Sequence, residues 1–173
     1  MKGDPYFLTR GVVLGTRDIA TLAHIAYHRT LEPPTQIKPD PGIFLEFAPI
    51  ARRYDRPLSD RSARHDAAHM THGEYIDCLS ANLAVFGTDG AQVLEYWMDN
   101  SRFSGWKRDQ VKRLPWNRDV FLDDVAFYAS LGIRHVTQFA TWLDGRYVEH
   151  FGEPPVDEYG LGLQRALPPD EYA

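Results

Sequence analysis

Gly90-Ala91-Gln92-Val93-Leu94-Glu95-Tyr96-Trp97 decides the fold. The six residues after Ala91 are β-branched, aromatic or alternating, and a glycine introduces them, which marks a short buried strand. Just upstream, Ile76, Leu79, Leu83 and Phe86 form an apolar stripe at helical spacing that stops at Gly87. The unit repeats downstream. Phe121, Val125, Tyr128 and Leu131 form a second stripe, with Asn117 as N-cap and Pro115 before it, and Gly132 opens a strand over 133–139. Upstream, Gly42 introduces a strand over 43–48. Alternation of this kind predicts βα units around a parallel sheet. A further strand is expected over 24–28, before the Pro33-Pro34 turn, with a short helix from Asp18 leading into it.

The chain has 173 residues, one ordinary domain's worth, and its 43% hydrophobic fraction supports a real core. A net charge of -5 argues against a nucleic-acid binder. No run approaches the ~18 apolar residues of a membrane span. One cysteine, Cys78, excludes an internal disulfide framework and any multi-cysteine zinc site. The opening Met-Lys-Gly-Asp-Pro-Tyr lacks an apolar signal core, so a reducing cytoplasm is the expected compartment. Residues 1–22 read as an irregular or helical lead-in, 23–152 as the sheet-bearing unit, and 153–173 as a proline-rich tail packed on it, with little structure of its own.

The segments following the strands, 49–72 and 98–115, are far longer than the roughly 2–6 residues of compact βα loops. Such loops sit at the carboxyl ends of parallel strands, where α/β proteins place their sites. Two carboxylates, Glu46 and Glu95, lie within the strands, and Asp99 follows the second. Burying a carboxylate is costly unless it is paired, hydrogen-bonded or protonated. On neighbouring strands Glu46 and Glu95 are candidates for the separation of a glycosidase pair, roughly 5–9.5 Å. The alternative is that they pair with Arg52, Arg53 or Arg102 and only hold loops in place.

All four tryptophans fall between Tyr96 and Trp142. Trp97 and Trp106 are candidates to stack on a sugar ring, an apolar face beside hydrogen-bonding groups; otherwise Phe103 and Trp106 anchor the loop. Arg102, Lys107, Arg108, Lys112, Arg113 and Arg118 make that loop basic, suited to a uronate or phosphate or simply to solvent. His65, His69 and His72 have the spacing of one helix face and offer a weaker zinc reading. Gly73 interrupts it, no H-E-x-x-H is present, and a polar loop leading into a helix at Tyr75 is the simpler expectation.

Several stretches resemble a known family. Leu45-Glu46-Phe47-Ala48-Pro49-Ile50, Arg53-Tyr54, Pro57-Leu58, Tyr27 with Pro33-Pro34, Glu95-Tyr96-Trp97-Met98-Asp99, Leu114-Pro115-Trp116 and Gly132-Ile133-Arg134-His135-Val136-Thr137 carry the resemblance, over roughly Ala26 to Gly160. They are similar to the uncharacterised bacterial domain of unknown function 4838 family, glycoside-hydrolase-like barrel proteins near α-glucuronidase-like ones. The resemblance implies a TIM-type (β/α)8 barrel, which needs about 200–250 residues. With about four strands, the chain reads as the carboxyl-terminal half of such a barrel. By analogy with barrel glycosidases, Glu95 on the seventh strand would be the nucleophile. Half a barrel leaves open edges and an exposed inner face, so self-association, a missing half-barrel or marginal stability is expected.

The expectation is therefore a carbohydrate-active protein taking a sugar or uronate, without cofactor or metal. Glu95, Glu46 and Asp99 are the catalytic candidates, and Trp97, Trp106, Tyr27, Arg53, Arg102 and His135 the binding candidates. A non-catalytic carbohydrate-binding remnant and a histidine-cluster metal hydrolase are the alternatives.

Overall fold

The structure, a computed structural model, describes residues 21–65 and 69–166. Four strands, β1 (Leu22–Ala26), β2 (Ile43–Phe47), β3 (Gln92–Glu95) and β4 (His135–Gln138), form one sheet in the order β1-β2-β3-β4, every pair parallel. The helices are α1 (His72–Phe86), α2 (Asn100–Phe103), α3 (Arg118–Ser130), α4 (Gly145–Phe151) and α5 (Val156–Ala166). No helix among the described residues is long and apolar enough to cross a membrane.

Local chemistry sets the element ends. The Thr71 hydroxyl accepts from the Glu74 backbone N–H at 3.2 Å, and Glu74 Oε2 accepts from the Thr71 N–H at 2.6 Å. This reciprocal box starts α1 at His72, and Gly87 at φ 81° ends it. Asn117 caps α3 through the Val120 N–H. β1 stops at Ala26, two residues short of the expected 24–28, because His28 turns left-handed at φ 48°. There the Thr30 hydroxyl donates to the Ile25 carbonyl at 3.0 Å. β1 begins at Leu22, two residues before the expected strand, and the short helix expected from Asp18 falls largely on residues outside those described. β4 is shorter than 133–139, and Ile133 instead fills the core.

One face of the sheet is covered. Leu45 and Phe47 of β2 and Val93 of β3 meet Tyr75, Ile76 and Leu79 of α1 and Phe121, Val125 and Tyr128 of α3 in a single buried cluster. Each such side chain contributes about 1.5–3 kcal/mol by leaving water. The other face carries Ile25, Glu46, Gln92 and His135 in register across all four strands. Ile25 is 39% exposed and His135 is exposed, so helices cover one side and leave the other open.

The stretch after Gly152 forms α5 where an irregular tail is expected. Pro154 and Pro155 start it without breaking it, and it packs on α3 so closely that a Cβ on Gly162 would lie 2.3 Å from the Phe121 ring. The long segment after β3 contains α2 and is pinned by a second apolar cluster of Met98, Leu114 and Tyr147.

Candidate functional site

Glu95 ends β3 with its side chain on the helix-covered face, fully buried. Its Oε1 accepts from Arg52 Nη2 at 3.0 Å and Nε at 3.1 Å and from the Tyr128 hydroxyl; its Oε2 accepts from the Tyr96 N–H at 3.2 Å. Arg52, also fully buried, bridges to Asp124 Oδ2 at 2.5 Å. Asp124 in turn takes the Trp97 indole N–H at 2.9 Å and the Leu58 backbone N–H at 2.6 Å. Burial alone lowers the Arg52 pKa, but Asp124 and Glu95 outweigh it and hold the guanidinium well above its ordinary value. Burial raises the Glu95 carboxyl, with Arg52 pulling against it. This network clamps the loop after β2 to β3 and α3.

Two expectations change here. Glu95 and Glu46 do not flank a common bond, because Glu46 pairs in register with Gln92, three residues before Glu95, and lies on the opposite, open face. Trp97 has no ring face for a sugar: it is 3% exposed, stacked edge-on against Phe121.

A different set of polar side chains lies at the carboxyl ends of the strands. Tyr27 follows β1, Tyr96 follows β3, and Asp99 lies three residues beyond. Asp99 is fully buried, and its two oxygens are unequal. Oδ1 accepts from the Ser101 N–H at 3.1 Å, the Ser101 hydroxyl and the Thr141 hydroxyl at 2.7 Å. Oδ2 has no hydrogen-bond partner among the described residues. The Tyr27 and Tyr96 hydroxyls likewise make none there. Burial and then Asp99 raise the Tyr27 pKa. Tyr96 is raised by burial, then by Tyr27, Glu95, Asp99 and Glu46, so these groups sense one another electrostatically. Glu46 contributes at the edge of this set, its Oε1 accepting from Gln92 Nε2 at 2.7 Å.

A cavity of about 440 Å³ opens between the loop after β2 and α2, lined by Arg53, Tyr54, Asp55, Arg64, His65, Arg102, Phe103 and Pro115. Thus Arg53 and Arg102 come together, as their assignment to one ligand requires. Trp106 does not join them; it stands 63% exposed at φ 63° just past α2. His135 opens β4, level with the first residue of β3, and so sits at the amino end of the sheet, away from Tyr27 and Asp99. The histidine spacing does not form one helix face, since α1 begins only at His72. Both nitrogens of that buried ring are already engaged, Nδ1 with the Pro57 carbonyl at 2.9 Å and Nε2 accepting from the Arg53 N–H at 3.0 Å. No group of three side chains suited to a metal occurs among the described residues.

Sequence reasoning passed over Asp124, Tyr128 and Tyr96. Asp124 sits inside the apolar stripe of α3, and a carboxylate at a core position was the available signal for a buried partner to an arginine.

No protein-family model matches the chain, and neither a curated protein nor a solved structure does.

Proposed function

We propose that this chain belongs to a carbohydrate-active protein of the glycoside-hydrolase-like barrel class, similar to the domain of unknown function 4838 family, and takes a sugar or uronate at the carboxyl ends of its strands. Asp99 carries the reading. A buried carboxylate with one oxygen bonded and the other without a hydrogen-bond partner among the described residues, near enough to Tyr27 and Tyr96 to raise both phenols, suits a ligand that offers hydroxyl groups. Tyrosine adds an apolar body to a polar tip, as a sugar face requires. Four parallel strands in sequential order, with α1 and α3 on one face, are the arrangement of a barrel segment. On this reading the open face turns toward the barrel interior, and a second half closes it.

The carboxylate assigned to the ligand is then Asp99, with Glu46 another acid on that side among the described residues. Glu95 holds the scaffold. Glu95 and Asp99 are both fully buried, which favours the second reading, a non-catalytic binding unit, since glycoside hydrolysis needs two accessible carboxyls roughly 5–9.5 Å apart.

Thermal melts with methyl glucoside and methyl glucuronide test the proposal. A ligand that binds only the folded state raises the melting temperature. A saturable rise in the native chain that Asp99→Asn abolishes supports the reading. No rise with either compound, or one that survives Asp99→Asn, counts against it.

A further inference from the structure

The segment between α2 and α3 is tied down at both ends yet keeps a tryptophan out of the core. The Trp106 N–H donates to the Ser101 carbonyl at 2.7 Å, with Gly105 and Trp106 both left-handed, at φ 64° and 63°. A bulky side chain adopts that backbone only at a cost. Further along, Asn100 Nδ2 donates to the Lys112 carbonyl at 2.9 Å, and the Lys112 N–H donates to Ser104 Oγ at 3.0 Å. Lys112 is thereby brought back beside Ser104, two residues from Trp106. The indole itself belongs to neither apolar cluster and stands 63% exposed. Lys107, Arg108, Lys112 and Arg113 are exposed in the same loop, with Asp109 the carboxylate among them. Arg108 pairs with Asp144 at 2.6 Å and Arg113 lies 5.9 Å over the Phe151 ring, while Lys107 and Lys112 make no ion pair among the described residues. The chain's net charge of -5 does not cancel this patch, because exposed charges more than roughly 8–10 Å apart are largely screened at physiological salt.

One indole among separated cations argues against two kinds of partner. A folded protein needs roughly 800 Å² with an apolar centre, and a bilayer needs an apolar face. No second large apolar side chain is exposed over residues 99–118. An extended polyanion needs only one ring face and several cations. We infer that this loop holds an acidic polysaccharide, with one sugar ring stacked on Trp106 and neighbouring carboxylates against Lys107, Lys112 and Arg113. The choice of a glycan among polyanions rests on the carbohydrate reading of Asp99. A single sugar acid meets one ring and one cation and is not held, whereas a chain engages several contacts at once. Methyl glucuronide therefore answers to Asp99 and the polymer also to the loop.

Electrophoresis of the full chain through gels containing sodium polygalacturonate, with pullulan as the neutral control, tests this in the Asp99→Asn background. Polygalacturonate retards Asp99→Asn, pullulan does not, and added sodium chloride releases it. Trp106→Ala weakens that retention roughly 10-fold, and Trp106→Tyr, which keeps a ring, retains most of it. Lys107→Gln with Lys112→Gln weakens it without touching the tryptophan, and decides the matter if Trp106→Ala no longer melts cooperatively. Retention in the native chain that Asp99→Asn removes overturns the inference while supporting the Asp99 reading. Equal retention by polyglutamate or an oligonucleotide overturns it too, since charge alone then suffices. So does retention that survives both the Trp106→Ala and the double lysine substitutions, or no retention at all. The methyl glucoside melts judge the Asp99 reading separately.

Discussion

Glu95→Gln separates a scaffold carboxylate from a chemical one. The carboxylate meets only donors: Arg52 Nε and Nη2 and the Tyr128 hydroxyl at Oε1, and the Tyr96 N–H at Oε2. A glutamine keeps one acceptor and turns an NH2 group toward either the guanidinium or the Tyr96 N–H, so at least one donor faces another. It also removes one of the two negative charges that compensate Arg52. Removing one partner of a buried pair costs about 3–5 kcal/mol. Asp124 remains in place, so the loss belongs at the lower end, about 3 kcal/mol. For a chain of this size that corresponds to a fall in Tm of roughly 6–12 °C. Arg52→Met is worse, because it strands two buried carboxylates without a cation. The assay is urea unfolding, with a lower midpoint and an unchanged slope expected for Glu95→Gln. An unmoved midpoint in Glu95→Gln together with loss of sugar binding would refute the reasoning and return Glu95 to the chemistry.

Other outcomes follow from the same contacts. Gly162→Ala gains helix propensity but drives a methyl into the Phe121 ring, so α5 loosens from α3 at a net cost of about 1–3 kcal/mol, read as a lower urea midpoint. Trp97→Phe removes one of the two donors to Asp124 Oδ2, which keeps Arg52, and costs about 1.5–3 kcal/mol as a lost hydrogen bond to a charged group, while sugar binding is unchanged by calorimetry. Burial lowers the pKa of His24, stacked on Phe86 with neither ring nitrogen hydrogen-bonded among the described residues, and of His72. Their folded values lie below the unfolded value of about 6.5, so the native state binds fewer protons. Stability is therefore full above about pH 6.5 and falls as pH drops below it, by at most about 1.4 kcal/mol per pH unit for each ring. Urea midpoints between pH 7.5 and 5 show this decline, and His24→Phe makes it shallower.

The sheet was legible because its signals are local. Glycine-led apolar runs at 43, 92 and 133 and the stripes on α1 and α3 need no distant partner to be read. The site was less legible because its geometry depends on strand register. Nothing local to Glu46 reveals that it pairs with Gln92, which puts it on the opposite face from Glu95. Arg52 and Asp124 are far apart in sequence, so their bridge through the core is a tertiary fact. α5 was missed because its prolines read as breakers, although they stand at its start, where a missing N–H costs nothing. The pairing of an arginine with a strand carboxylate was foreseen as the alternative to chemistry, and for Glu95 that is the arrangement found.

The most direct measurement compares Asp99→Asn and Glu95→Gln in one calorimetric titration with methyl glucuronide, alongside their melts. The account predicts that Asp99→Asn melts at or above the native temperature, having lost a buried negative charge whose Oδ2 has no hydrogen-bond partner among the described residues, and no longer binds. Glu95→Gln melts lower and, below its transition, binds as the native chain does. Binding lost in Glu95→Gln and retained in Asp99→Asn would contradict it.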